Sequence, residues 1–190
     1  NKDNKVIPSD TIAVTADGEE LKWTSEESLK TVNGLAAGNY FLVETKAPEG
    51  YKLAEAVPFT ITAQEAGTEK SDPITVKMYD EKTNVSILKV DKEGKALSGA
   101  TLEIQDASKD PIEGLSWVTD DKAHDITGKL TSGQKYYLVE TKAPDGYTIA
   151  DPVEFTLNDD GEVVVNDKVV ENGQITMKDI QTSVTISKKA

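Results

Sequence analysis

The chain has 190 residues, with 34 acidic against 21 basic side chains, one His and no Cys. A net charge of −13 repels phosphate backbones and anionic bilayers, which argues against nucleic acid and membrane surfaces as partners. Missing thiols exclude Cys nucleophiles, iron–sulfur clusters and Cys-ligated zinc, and a lone His leaves little for imidazole ligation, so no metal or other cofactor is expected.

Apolar residues make up 37% of the chain, but Thr, Val and Ile recur in short runs between Gly, Pro, Asp and Asn clusters, the punctuation of an all-β protein. The first residues, Asn1-Lys-Asp-Asn-Lys5, carry neither an apolar leader nor an initiator Met, as in a mature product or an excised fragment. Pro8–Leu21 is the most individual segment. After Leu21-Lys-Trp23 comes Tyr40-Phe-Leu-Val-Glu-Thr-Lys-Ala-Pro-Glu-Gly-Tyr51, whose Ala47-Pro48 followed by an acid and Gly50 marks a tight turn. Val57-Pro-Phe-Thr-Ile61 and Met78-Tyr-Asp80 follow, then a polar linker near Glu81–Asn84.

Beyond the linker, alternation and turn residues predict strands at Val85–Val90, Ala100–Gln105, Leu115–Thr119, Asp125–Gly128, Lys135–Lys142, Val153–Leu157, Glu162–Val165 and Gln174–Lys178. Asp91-Lys-Glu-Gly94 separates the first two, and Asn158-Asp-Asp-Gly161 reads as a hairpin rather than a calcium loop, since the downstream Glu of that pattern is missing. No stretch carries a helical period. His124 sits in a polar stretch and reads as a solvated loop residue.

The chain repeats itself. The Tyr40–Tyr51 block returns as Tyr136-Tyr-Leu-Val-Glu-Thr-Lys-Ala-Pro-Asp-Gly-Tyr147 at an offset of 96, as does Val57–Ile61 in Val153–Leu157, and Leu115-Ser-Trp117 matches Leu21–Trp23 at 94. Trp23 and Trp117, recurring in register, read as core. Met78-Tyr-Asp80 with Val85-Ser-Ile-Leu-Lys89 returns as Met177-Lys-Asp179 with Val184-Thr-Ile-Ser-Lys188 at 99. The expected frame is a sandwich over 1–81 lacking its N-terminal strands, since Asn1 aligns near Asp106 and nothing matches Val85–Gln105. A complete sandwich over 84–180 and an opening strand over 182–190 follow, set end to end by short linkers.

Alternation then places charges. In one strand Tyr136, Leu138 and Glu140 share a face; Ile87 and Lys89 share another, and Met177 and Asp179 a third. If the apolar members are core, an amine and two carboxyls point inward, which costs several kcal/mol each unless they pair or neutralise. Desolvation disfavours every charged form, so a neutral amine could face a neutral acid. The three residues are then a buried ion-paired triad, three surface charges misread by alternation, or a reactive set in which the Lys89 amine attacks the Asp179 carboxyl carbon while Glu140 relays protons and water departs.

On these residues the second domain resembles the CnaB-type, collagen-adhesin B-repeat domains of Gram-positive surface proteins and pilins. Both copies of Tyr-x-Leu-Val-Glu-Thr-Lys-Ala-Pro-x-Gly-Tyr are similar to the pilin E-box, and Lys89-Val-Asp91 with Gly99-Ala-Thr-Leu-Glu103 resembles the family's first two strands. The resemblance implies tandem small Ig-like β-sandwiches and an intramolecular isopeptide bond between Lys89 and Asp179 promoted by Glu140. In the first copy Glu44 and Asp80 match the acid and the acceptor, but the Lys would lie upstream of Asn1. Either that copy makes no bond, or Lys188 from a neighbouring molecule's tail reaches Asp80 in trans.

The function implied is a structural stalk of a cell-wall-anchored pilin or adhesin on a Gram-positive cell surface. It would not be an enzyme beyond one autocatalytic crosslinking event, and its partners would be neighbouring domains of the array or other copies head to tail. The alternative is an adhesin domain binding a host matrix protein or glycan, with Pro8–Leu21 as its candidate loop. An accessory module of a secreted hydrolase would need a catalytic domain beside it, and none is visible here. No Leu-Pro-x-Thr-Gly sorting signal is present.

Overall fold

A computed structural model of the protein describes residues 12–63 and 73–189. The chain divides into two units, Asn1–Thr45 with Ala54–Tyr79, and Lys46–Leu53 with Asp80–Ala190.

In the first unit two strands, β1 (Gly38–Leu42) and β2 (Val57–Ile61), pair antiparallel, with Tyr40 opposite Phe59 and their rings stacked at 5.5 Å. Val14 and Glu20 form an isolated bridge. None of this unit's described residues is fully buried, because a single hairpin cannot cover both of its own faces. Trp23, expected in a core, is 42% exposed. Pro8 to Thr11 of the individual N-terminal segment lie outside the described residues.

The second unit is a β-sandwich. Its strands are β3 (Ser86–Val90), β4 (Thr101–Gln105), β5 (Pro111–Val118), β6 (His124–Asp125), β7 (Gln134–Lys142), β8 (Val153–Leu157), β9 (Val163–Val165), β10 (Lys168–Val169) and β11 (Gln174–Lys178), with one 3₁₀ turn at Glu171–Gly173. Six strands make one sheet in the order β10-β9-β8-β7-β4-β5; β11-β3-β6 make the other. Alternate residues of both sheets meet in one core, Ile87, Ile175 and Met177 from the smaller and Leu102, Leu138 and Phe155 from the larger. The first and last strands are neighbours and run parallel, Lys89 opposite Met177 and Val90 opposite Lys178.

Three elements differ from the sequence expectation. Strand β5 begins at Pro111 rather than Leu115, its extra residues reaching Gln105 through a register shift in β4. The strand expected over Asp125–Gly128 stops at Asp125, because the Asp125 carboxylate accepts the Thr127 N–H at 2.8 Å and the Lys129 N–H turns back to the Ile126 carbonyl. The short β10 exists because Asn166 and Asp167 both take positive φ, 50° and 60°, returning Lys168 to Val165 through a two-residue turn. His124 lies on β6 rather than in a loop; it is exposed and stacks on the half-buried Trp117 at 4.3 Å.

Candidate functional site

Strand β3 sets Lys89 inward because Ile87, two residues before it, is core, and the period of two carries the ammonium stem to the same face. In parallel register Lys89 lies opposite Met177, so Asp179, one inward position further along, comes within reach of Nζ. Its backbone N–H is held by the Val90 carbonyl at 2.9 Å, which extends the parallel pairing just past β11. From the facing sheet, Glu140 follows Tyr136 and Leu138 along the buried side of β7 and sits opposite Leu102 of β4. A bulge comes next: Leu102 pairs with Glu140 but Thr101 with Lys142, so Thr141 is the extra residue.

These strands bring Lys89, Glu140 and Asp179 together between the two sheets. All three side chains are wholly shielded from solvent. Lys89 Nζ donates to Asp179 Oδ1 and lies 3.0 Å from Glu140 Oε1, a contact outside hydrogen-bonding geometry. Glu140 Oε2 accepts the Ala150 N–H at 2.7 Å, which fixes the carboxyl plane. Glu140 Oε1 and Asp179 Oδ2 have no hydrogen-bond partner. Glu140 Oε1 still has its ion pair with Nζ, whereas a buried oxygen such as Asp179 Oδ2, with no hydrogen bond, ordinarily costs about 1–3 kcal/mol.

Ala150 escaped the sequence reading, and the structure shows its counterpart in the first copy. Glu44 Oε2 accepts the Ala54 N–H at 2.7 Å, the same ten-residue hook at an offset of 96. The rings of Tyr136 and Phe155 lie at 5.6 Å as Tyr40 and Phe59 do at 5.5 Å, and the Tyr51 N–H bonds to Pro48 as the Tyr147 N–H does to Pro144. The local chemistry of the repeat is therefore the same in both copies. Its burial is not: Glu44 is only half-buried, and Asp80 and Lys188 are exposed.

Residues 1–81 and 83–170 each match the SpaA family, described as a prealbumin-like fold domain. Among solved structures, the shaft pilin spaA of Lactobacillus rhamnosus GG is 17% identical over 78% of this chain and 66% of its own, with a TM-score of 0.41. A C-terminal fragment of the pilus adhesin SpaC from the same organism is 19% identical over 83% and 80%, with a TM-score of 0.46. The pilus-presented adhesin Spy0125 (Cpa) is 28% identical over 46% of this chain and 20% of its own, with a TM-score of 0.37. This chain thus spans just under two thirds of the length of the shaft pilin and a fifth of that of Cpa. No curated protein matches. With two matched segments covering most of its length and an all-β sandwich to go with them, the chain belongs to the SpaA family of prealbumin-like fold domains.

Proposed function

We propose that the second unit is a load-bearing module of a Gram-positive pilus or surface adhesin, closed by an isopeptide bond that Lys89 and Asp179 form without an external enzyme. The observation that carries this reading is one amine and two carboxyls shut away from water on three strands, with the amine against the Asp179 carboxyl.

The chemistry balances within the trio. An ammonium, a carboxylate and a carboxylic acid hold the same protons as an amine and two acids, so a proton shift inside the pocket supplies a neutral nucleophile without solvent. Nζ attacks the Asp179 carboxyl carbon, Glu140 gives a proton to the departing oxygen and takes one from Nζ, and water leaves. The N–C bond forms, a C–O bond breaks, and Glu140 ends as it began. Glu140 is suited to the relay because its Oε2 is pinned by Ala150 while Oε1 faces the amine. Asp179 Oδ2, which has no partner, is the natural leaving oxygen.

A bond here changes how the fold carries tension. Force entering β3 at its N-terminal end passes through the Lys89 side chain to Asp179 and out beyond β11, so residues 90–178 stay outside the load path. That suits a stalk in the cell wall, whose partners are its neighbours in the array. Intact mass under denaturing conditions tests it: the protein should weigh one water less than its sequence, and Lys89→Ala should weigh its full sequence mass. Recovery of free Lys89 and Asp179 peptides from the parent would refute it. For the first copy, the position that matches Lys89 in the repeat frame falls upstream of Asn1. A bond to Lys188 of another molecule would appear as a ladder on a denaturing gel, lost in Lys188→Ala.

A further inference from the structure

The turn that follows the repeated Glu strand occurs twice, and only one copy is covered. In the first, the Gly50 carbonyl accepts from the Thr83 N–H at 3.0 Å and from its Oγ1 at 3.2 Å, Tyr51 bridges Lys82, and the Lys52 N–H reaches the Glu81 carbonyl. In the second, the Gly146 carbonyl accepts from the Thr182 N–H at 2.8 Å and from its Oγ1 at 3.1 Å, Tyr147 bridges Gln181, and the Thr148 N–H reaches the Ile180 carbonyl. The backbone bonds and the threonine hydroxyl bond of the two clasps correspond one for one.

What differs is what sits on them. Thr83 is fully buried; its Oγ1 also donates to the Leu130 carbonyl at 2.7 Å, and its own carbonyl accepts the Gly128 N–H at 2.9 Å. A Cβ on Gly50 would run into the Gly128 carbonyl, so the two backbones are in direct contact. The Leu53 N–H bonds to the Asp159 carbonyl in the β8–β9 hairpin. In the second clasp Gly146 and Thr182 are exposed, a Cβ on Gly146 would meet nothing within 4 Å, and Ile149 and Ile180 beside it are 60% and 65% exposed.

We propose that the second clasp is a docking site for the turn of a further sandwich of this type, the equivalent of Thr127-Gly128-Lys129-Leu130, presented by a repeat that continues from the tail. Thr182 donates its hydroxyl to the Leu carbonyl of that turn and accepts the Gly N–H at its own carbonyl, a two-point backbone contact in which the incoming residue takes the left-handed conformation of Gly128, φ 71°, that favours Gly. The tail supports an in-line occupant: Val184 and Ile186, exposed at 82% and 87%, stand in the repeat where Val85 and Ile87 are core. This inference rests on the array reading above but not on the crosslink.

The test is the full chain extended after Lys188 by a second copy of residues 90–179, with Ile149→Val in the added copy so that its turn peptide differs in mass. Amide exchange of the Gly146 turn and of residues 180–182 should slow at least about tenfold relative to the unextended protein. Thr182→Val in the extended chain should cancel that gain while the added strands stay protected. Unchanged exchange at the clasp beside a protected added sandwich overturns the docking site alone. An added sandwich that stays unprotected overturns the array reading and the docking site with it. Protection that appears in the unextended chain as its concentration rises overturns the in-line occupant in favour of a separate molecule. Intact mass reports the crosslink independently in every sample.

Discussion

Replacing Glu140 by Gln isolates the proton relay from the packing. The amide carbonyl can still accept the Ala150 N–H that Oε2 accepts now at 2.7 Å, so the loop after β7 keeps its tether. The amide NH₂ then faces Lys89 where Oε1 lies at 3.0 Å, and it can take no proton from the amine. Glu140→Gln should therefore fold and retain its full sequence mass, with Lys89 and Asp179 uncondensed. The loop they would have closed has a sequence separation of 90 residues, and constraining such a loop is worth about 4–5 kcal/mol on a chain-entropy basis. For a unit of this size that converts to roughly 15–25 °C in melting temperature. Leaving an ammonium and a carboxylate buried with one partner fewer lowers it further, by up to about 3–5 kcal/mol. Intact mass spectrometry and differential scanning calorimetry on parent and variant read the two effects separately. Loss of one water in Glu140→Gln would refute the relay, and a parent that never loses water would refute the bond itself.

Tyr136 is buried in the core, with its hydroxyl accepting the Thr131 N–H at 3.0 Å and donating to the Thr131 carbonyl at 3.1 Å. Burial pushes this phenol above its ordinary range, outweighing the Thr131 hydrogen bonds, so the unfolded chain ionises first; stability present below about pH 10 is lost as pH rises beyond it. Tyr136→Phe should cost about 1 kcal/mol at neutral pH and reduce that alkaline loss, read by urea melts at a series of pH values. Gly50 and Gly146 share φ near +82°, at 82° and 83°, so Ala at either pays about 1–2 kcal/mol for the left-handed conformation. Gly50→Ala should lose about 1–3 kcal/mol more, because its Cβ meets the Gly128 carbonyl where that of Gly146 meets open space. Pulled from its ends by single-molecule force spectroscopy, the parent should withhold the roughly 300 Å of contour that residues 90–178 would release at about 3.3–3.6 Å each, and Lys89→Ala should release it.

Local chemistry was legible in the sequence wherever alternation and turn residues governed it. The inward positions of Tyr136, Leu138, Ile87 and Met177 follow from a period of two, and Lys89, Glu140 and Asp179 share their faces. The hairpin at Asn158 follows from its side chain accepting the Glu162 N–H at 2.8 Å. What escaped was set by tertiary contacts or by backbone alone. Ala150 acts through its N–H, which has no side-chain signature, and the exposed Trp23 has no second sheet in its unit's described residues to bury it.

The two copies show why a motif is not yet a site. Glu44 and Glu140 lie in nearly the same twelve residues and hold the same Ala N–H at the same distance, yet only Glu140 is removed from water. The difference comes from the parallel pair β3–β11, which supplies the amine, the acceptor and the apolar wall of Ile87 and Met177 in one stroke. Condensation needs the carboxyl carbon and the amine together without water, and the repeated strand contributes neither. On the crosslink proposed above, the chemistry therefore resides in the pairing of the second unit's first and last strands, β3 and β11, and the same pairing sets where tension would enter and leave that unit.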